Sequence, residues 1–226
     1  MLNPLRHLSV FMPTQFGQKR VDVIGAGATG CRVVQELKKL GVENVHVWDF
    51  DIVEDHNRAN QLYGAEHVGL AKVEALQDIV RRQAESDITI HSERHSGTQP
   101  LGEVVFLLTD TMDSRKQIWE GAIKFKPHTS LMIETRMGPD CGRIYTINPY
   151  SPRHIKSWEA TLYTTQEADV SACGASTSVG ATAEVVAGIA VWQMLRWFAI
   201  NTGADDVLDN EIIFSLRPMH MLTQRF

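Results

Sequence analysis

The strongest chemical signal in the chain is the run Gly25-Ala26-Gly27-Ala28-Thr29-Gly30. In such a run the first glycine permits a tight turn and the second lets a phosphate approach the backbone. The third allows a helix to pack closely on a strand. A helix starting there offers N–H groups and the positive end of its dipole to an anion. Asp49 follows about twenty residues on, where an acid can accept hydrogen bonds from ribose hydroxyls. These residues alone fit NAD as well as any other nucleotide. More polar residues follow in order: Asp51, Asn57, Arg58, Asn60, Gln61, Lys72, Thr109, Asp110 and Arg115. Lysine and a carboxylate-held cation are what phosphoryl chemistry needs, since charge builds on phosphate oxygens. Plainer readings stand beside these. Lys72 fits a solvated helix start, Asp110 a helix N-cap, Arg115 a partner for Asp113, and His56 an exposed loop residue.

The elements that must position these residues are legible on either side of them. Val21-Asp22-Val23-Ile24 is β-branched and stops at glycine, which reads as a short buried strand. From Thr29 to Leu40, Val33, Val34, Leu37 and Leu40 recur at helical spacing until Gly41. Asn44 to Trp48 is a second strand, so the glycine run sits inside a βαβ unit. Beyond an irregular stretch, Lys72 to Gln83 reads as a helix, Ile88 to His91 as a third strand, and Val104 to Thr109 as an apolar strand stopping at Asp110. Ser114 to Phe125 reads as a helix. Leu131 to Thr135 and Gly142 to Asn148 are strands joined through Gly138-Pro139-Asp140, a connection short enough to require antiparallel pairing. Asn148 to Gly180 shows no clear period, Gly180 to Phe198 is an apolar helix, and Ile212 to Leu216 is a late strand. The expected fold is α/β, a Rossmann-like three-layer domain with a mixed sheet, parallel in its first half and antiparallel in its second. No break in composition divides the chain. Residues 1–226 therefore read as one domain, with a nucleotide-binding half over about 20–127 and a second half over about 128–226.

Taken together, the glycine run, Asp49-Phe50-Asp51, Asn57 with Asn60-Gln61, Lys72 before Glu74, and Thr109-Asp110-Thr111 with Arg115 resemble the ThiF/MoeB/HesA superfamily of ubiquitin-activating-like adenylyltransferases. The likeness is densest from Val21 to Arg115. It continues more thinly through Arg136-Met137-Gly138, Gly142-Arg143-Ile144-Tyr145 and the region of Cys173, and is closest to short ThiF-like proteins of phages and mobile elements. The resemblance implies ATP and Mg²⁺ as cofactors and activation of a C-terminal carboxylate, on a ubiquitin-like or sulfur-carrier protein. It implies that Gly25, Gly27, Ala28, Thr29, Gly30, Asp49, Asn57, Asn60, Gln61 and Thr109 contact the nucleotide. Lys72 would meet phosphate, Asp110 would position Mg²⁺, and Asp51 would support the metal or its loop. A homodimer is implied too, with residues 148–180 covering the substrate and Arg136, Tyr145 and Tyr163 along its path.

One departure qualifies the likeness. The arginine that the family places before its glutamine is here Asn60, with Arg58 the nearest substitute. Cys173 stands where some relatives carry a thiol that forms a persulfide or thioester, and a plain structural cysteine fits as well. An NAD(P)-dependent oxidoreductase and a ThiF-like protein without turnover remain the alternatives.

Composition narrows the partners. A net charge of -5 lacks the basic footprint of a general nucleic-acid or membrane-surface binder. Three scattered cysteines without a CxxC fit a reducing compartment and leave no four-thiolate zinc site. The apolar run Val185 to Leu195 is short for a bilayer and is flanked by Glu184 and Arg196. A cytoplasmic protein, bound to neither nucleic acid nor membrane, is expected.

Overall fold

The computed structural model describes residues 5–163 and 178–226 and builds one eight-stranded sheet in the order β3-β2-β1-β4-β5-β6-β7-β8. The strands are β1 (Val21–Ile24), β2 (Val45–Trp48), β3 (Thr89–His91), β4 (Val104–Leu107), β5 (Leu131–Met137), β6 (Cys141–Ile147), β7 (Glu211–Leu216) and β8 (Met219–Gln224). Pairing is parallel from β3 through β5 and antiparallel from β5 to β8. The mixed sheet expected from the sequence is what forms.

Alternation within the strands sorts side chains into two cores, one on each face. Val104, Phe106, Leu131 and Ile133 join Val21, Val23 and Val47 on one side. There they meet α2 (Ala28–Lys39), α3 (Lys72–Ala84) and α6 (Gly180–Asn201). Val105, Leu107 and Met132 point the other way with Ile24 and Trp48, against α4 (Met112–Ile118), a π turn over Trp119–Ile123, and α5 (Pro152–Glu159). Strands buried on both faces carry continuous apolar runs, which is why these read so clearly. The helix α6 is apolar nearly all round because α2 flanks one side and β5 and β6 another. At 22 residues and mean hydropathy 1.3 it is long and apolar enough to cross a membrane by composition, yet half of it is buried inside the fold.

Several elements differ from the sequence expectation, each for a physical reason. The N-terminal segment contains a short helix, α1 (Pro13–Phe16), and packs Phe11 and Phe16 edge-on against Phe198 of α6 at 5.2 and 5.5 Å. Within the stretch expected to be irregular lies α5. Ser151 caps it by accepting the His154 N–H, and Pro152 takes its first position. Only Ile155 and Trp158 of α5 are buried, so it shows too few turns for a period. β8 escaped notice because all six of its residues are exposed and neither face alternates. The expected helix from Ser114 starts two residues earlier, at Met112, and widens into the π turn at Trp119.

A buried polar cluster ties β1, β2 and β3 together. Asp22 accepts bonds from Arg20, from the Trp48 indole at 2.8 Å and from Gly102 N at 2.7 Å. Trp48 stacks on His91 at 3.6 Å, His91 meets His46 ring to ring at 3.1 Å, and His95 packs edge-on to Trp48. Burial lowers the pKa of His46, His91 and His95 below the ordinary 6.5, because the charged ring loses hydration. Below that pH the unfolded chain takes up protons that the folded chain resists. Stability is therefore complete above 6.5 and declines as pH falls through the window beneath it. Thermal melts between about pH 8 and 5 should show Tm falling below about pH 6.5, with a shallower fall in His91→Gln. A Tm flat down to the lower pH would contradict this.

Candidate functional site

The glycine run forms the turn from β1 into α2, and its three glycines do different work. Gly25 has φ +103, and a Cβ there would lie 2.7 Å from the Leu108 carbonyl. A Cβ on Gly30 would lie 1.8 Å from the Gly25 carbonyl, so no side chain fits while the turn keeps its shape. Gly27 meets nothing within 4 Å and faces open space. It is also the N-cap of α2 and brings no side chain to the helix's first N–H groups. Those donors need partners, and a helix start without a side-chain cap is suited to an anion.

Asp49 holds the turn in place. One carboxylate oxygen accepts Ala26 N at 2.7 Å, the other accepts Asp51 N at 2.8 Å, and the group is buried. Burial raises its pKa, while the two backbone N–H groups and Lys72 pull it back down. Each oxygen keeps a further lone pair for a ribose hydroxyl. Tyr63 adds a second tie by donating its hydroxyl to the Ala26 carbonyl at 2.7 Å.

A cleft of about 640 Å³ opens over this turn at the C-terminal ends of β1, β2 and β4. Gly25, Gly27, Ala28, Thr29, Gly30, Asp49, Asp51, Asn57, Asn60, Gln61, Lys72, Thr109 and Asp110, the residues singled out in the sequence, all line it. Arg58 does not. The 3₁₀ turn Asp55–Ala59 buries Asn57, whose side-chain oxygen accepts Glu54 N, and turns Arg58 outward onto Asp55 at 2.6 Å. Arg58, expected as the substitute arginine, thus lies outside the cleft lining. Cys173 lies outside the described residues, as do residues 164–177 of the expected cover.

Lys72 opens α3 with its backbone N–H on the Asp51 carbonyl at 2.9 Å and its Nζ on Asp51 Oδ2 at 2.7 Å. Asp51 thus holds the lysine. Asp110 is exposed and is not the helix cap, since the Thr111 hydroxyl accepts Ser114 N instead. Arg115 is buried and pairs with Glu134 at 3.2 Å, not with a surface acid. It also donates to the carbonyls of Thr109 and Thr135, bridging the ends of β4 and β5.

Sequence reasoning missed Glu134. This fully buried acid also receives Arg136 at 3.1 Å and the Trp158 indole at 3.2 Å. The signal was an acid directly after the apolar Leu131-Met132-Ile133. Arg136 lies over the ring of Tyr145 at 4.7 Å and near that of Tyr163 at 5.8 Å, so the three expected path residues do gather. Arg94, also missed, stacks on Phe50 at 3.9 Å at the cleft rim.

Buried polar atoms normally find partners. Here Asn60 Oδ1, Gln61 Oε1, Thr109 Oγ1, Arg115 Nε and Ser178 Oγ have none, and every one belongs to a residue lining the cleft. Among the described residues only His7 and Tyr145 carry such atoms elsewhere. The concentration marks a wall shaped for a polar ligand. No cluster of three metal-ligating side chains occurs among the described residues. A divalent cation at Asp110 would take most of its ligands from phosphate and water, which is how Mg²⁺ commonly binds.

Residues 13–225 match the ThiF family. Ubiquitin-like modifier-activating enzyme 5 of Caenorhabditis briggsae is 32% identical over 79 residues, covering 34% of this chain and 18% of that protein. The SUMO-activating enzyme subunit uba-2 of Caenorhabditis elegans is 35% identical over 66 residues, covering 29% of this chain and 11% of that protein. The chain thus spans less than a fifth of the length of these relatives in its matches. Among solved structures, E. coli MccB with MccA superposes at TM-score 0.71 and 13% identity over 98% of this chain and 69% of that one. PaaA superposes at TM-score 0.68 and 17% identity over 92% and 64%. These likenesses establish the fold.

The glycine geometry separates folding from binding. Gly27→Ala should change stability by less than about 1 kcal/mol, since nothing surrounds the added methyl. Gly30→Ala should cost about 3 kcal/mol or more through overpacking against backbone. Paired thermal melts check this, and equal losses in the two variants would contradict the turn as described.

Proposed function

The chain belongs to the ThiF family, and from that membership we propose that it is an ATP- and Mg²⁺-dependent adenylyltransferase for a C-terminal carboxylate. The observation that carries the reading is the set of buried, unpartnered polar atoms around an uncapped helix start, with Lys72 on one wall and Asp110 on the other. A simple dinucleotide site has no use for that lysine and acid over the phosphate end.

In this reading the N–H groups at the start of α2 bind phosphate, and Asp49 takes the ribose while still holding Ala26 and Asp51. Lys72 exchanges Asp51 for phosphate oxygens, moving its charge by the length of a side-chain swing. Asp110 would hold Mg²⁺, which would supply further shielding of the phosphate charge. A carboxylate oxygen of the partner attacks the α-phosphorus, the bond to the bridging oxygen breaks, and pyrophosphate leaves with no net proton transfer. The gain comes from placing positive charge where negative charge builds.

The substrate class follows the relatives in outline: a ubiquitin-like or sulfur-carrier protein, or a peptide, ending in a free carboxylate. We read residues 1–226 as one adenylation unit that works in the cytoplasm as a homodimer. Trp192, exposed to 53% on α6, suits that interface, whereas Phe198 is core. Cys173 as an acceptor thiol belongs to the same proposal. A second reading, a nucleotide-binding member without turnover, is favoured by Asn60 in place of the family arginine.

Exchange of labelled pyrophosphate into ATP, in the presence of candidate C-terminal glycine peptides, tests the proposal. Lys72→Ala and Asp110→Ala should each lower exchange by roughly 10²- to 10³-fold. Binding of ATP–Mg²⁺ without exchange by any carboxylate would favour the second reading. Tight NAD binding without ATP binding would overturn both.

A further inference from the structure

A buried arginine stands behind the cleft wall, and the chemistry above leaves it unused. Arg32, in the second turn of α2, has a side chain only 8% exposed. Its Nη1 donates to the carbonyls of Ala28 at 2.7 Å and Asn60 at 2.9 Å. Its Nε pairs with Glu184, in the first turns of α6, at 2.6 Å. Its Nη2 lies 3.4 Å from where a Cβ on Gly180 would stand. One guanidinium therefore joins the glycine-turn helix, the Asn60 loop and the start of α6.

The charge balance there is lopsided. A cation near a helix N-terminus gains nothing from the dipole, which favours anions at that end. The counter-ion Glu184 is 61% exposed, so water screens part of its charge and it offsets the buried guanidinium incompletely. Ala28 and Asn60, the two residues whose carbonyls hold Arg32, both line the cleft. The same wall carries the unpartnered side-chain atoms of Asn60, Gln61 and Ser178. Positive potential from Arg32 and the helix start thus falls on the wall formed by Ala28 and Asn60, which suits a ligand of several negative charges.

We propose that Arg32 is a positioning residue for the outer phosphates of the nucleotide. It fixes the Asn60 carbonyl, and with it the Asn60 and Gln61 side chains. Its charge makes this end of the cleft discriminate a triphosphate from a monophosphate. The inference rests on the ATP reading above.

Calorimetric titration of the full chain with ATP–Mg²⁺ and with AMP tests it through the ratio of the two affinities. Arg32→Gln should weaken ATP roughly tenfold or more and AMP by less than about twofold. Adding Asn60→Arg to that variant returns a cation to the same wall and should restore most of the ratio. Equal loss for both nucleotides, or no loss, overturns the inference, because a purely architectural arginine would not sense phosphate number. Should Arg32→Gln fail to fold, Glu184→Gln carries the test. Removing the counter-charge should shift the ratio toward ATP by roughly twofold or more, and an unchanged ratio overturns the inference. Failure of the unaltered chain to bind ATP–Mg²⁺ would instead overturn the nucleotide reading itself.

Discussion

A single buried carboxylate, Asp49, links the parts of the cleft that must act together. Through Ala26 N it fixes the glycine turn, and through Asp51 N it fixes the loop after β2. Asp51 in turn holds Lys72 by its side chain and its backbone carbonyl. The start of α2, Asp49 and Lys72 are thus one hydrogen-bonded chain. Burial raises the Asp49 pKa, and the backbone donors are what keep a carboxylate tenable there. Loss of the charge would loosen the turn and the lysine together, so binding and local order are coupled at this residue.

The opposite wall rests on the place where the sheet changes direction. β4 and β5 are parallel, β5 and β6 antiparallel, and Arg115 ties the β4 and β5 ends through the Thr109 and Thr135 carbonyls. Glu134 compensates Arg115 from inside the sheet and shares its charge with Arg136. A buried acid between two arginines is costly to desolvate, and removing one partner would leave charge stranded. The arrangement fixes two cationic side chains relative to the strand ends, one at the cleft and one beside Tyr145.

Most of this was legible wherever residue type alone decides structure. The glycine run, the all-apolar strands and the order of Asp49, Lys72 and Asp110 needed no tertiary information to place the cleft. Legibility failed where the deciding contact lies far along the chain. Arg58 is the nearest arginine to Asn60 in sequence, yet Arg32, twenty-eight residues back, donates to the Asn60 carbonyl. Nothing in the pattern of α2 distinguishes Arg32 from a solvated helix residue until Glu184 and Asn60 close over it. Glu134 was hidden because its two arginine partners sit two residues away and on another element. β8 was hidden because an edge strand with both faces exposed has no alternation to read.

The central claim is that a nucleoside triphosphate lies over the start of α2, held by the Asp49–Asp51–Lys72 chain. A crystal structure with a non-hydrolysable ATP analogue and Mg²⁺ tests it most directly. The account requires phosphates against the first N–H groups of α2, the ribose at Asp49, and Lys72 Nζ moved from Asp51 onto phosphate. A nucleotide bound elsewhere, or phosphates seated in the cleft with Lys72 still on Asp51, would contradict it.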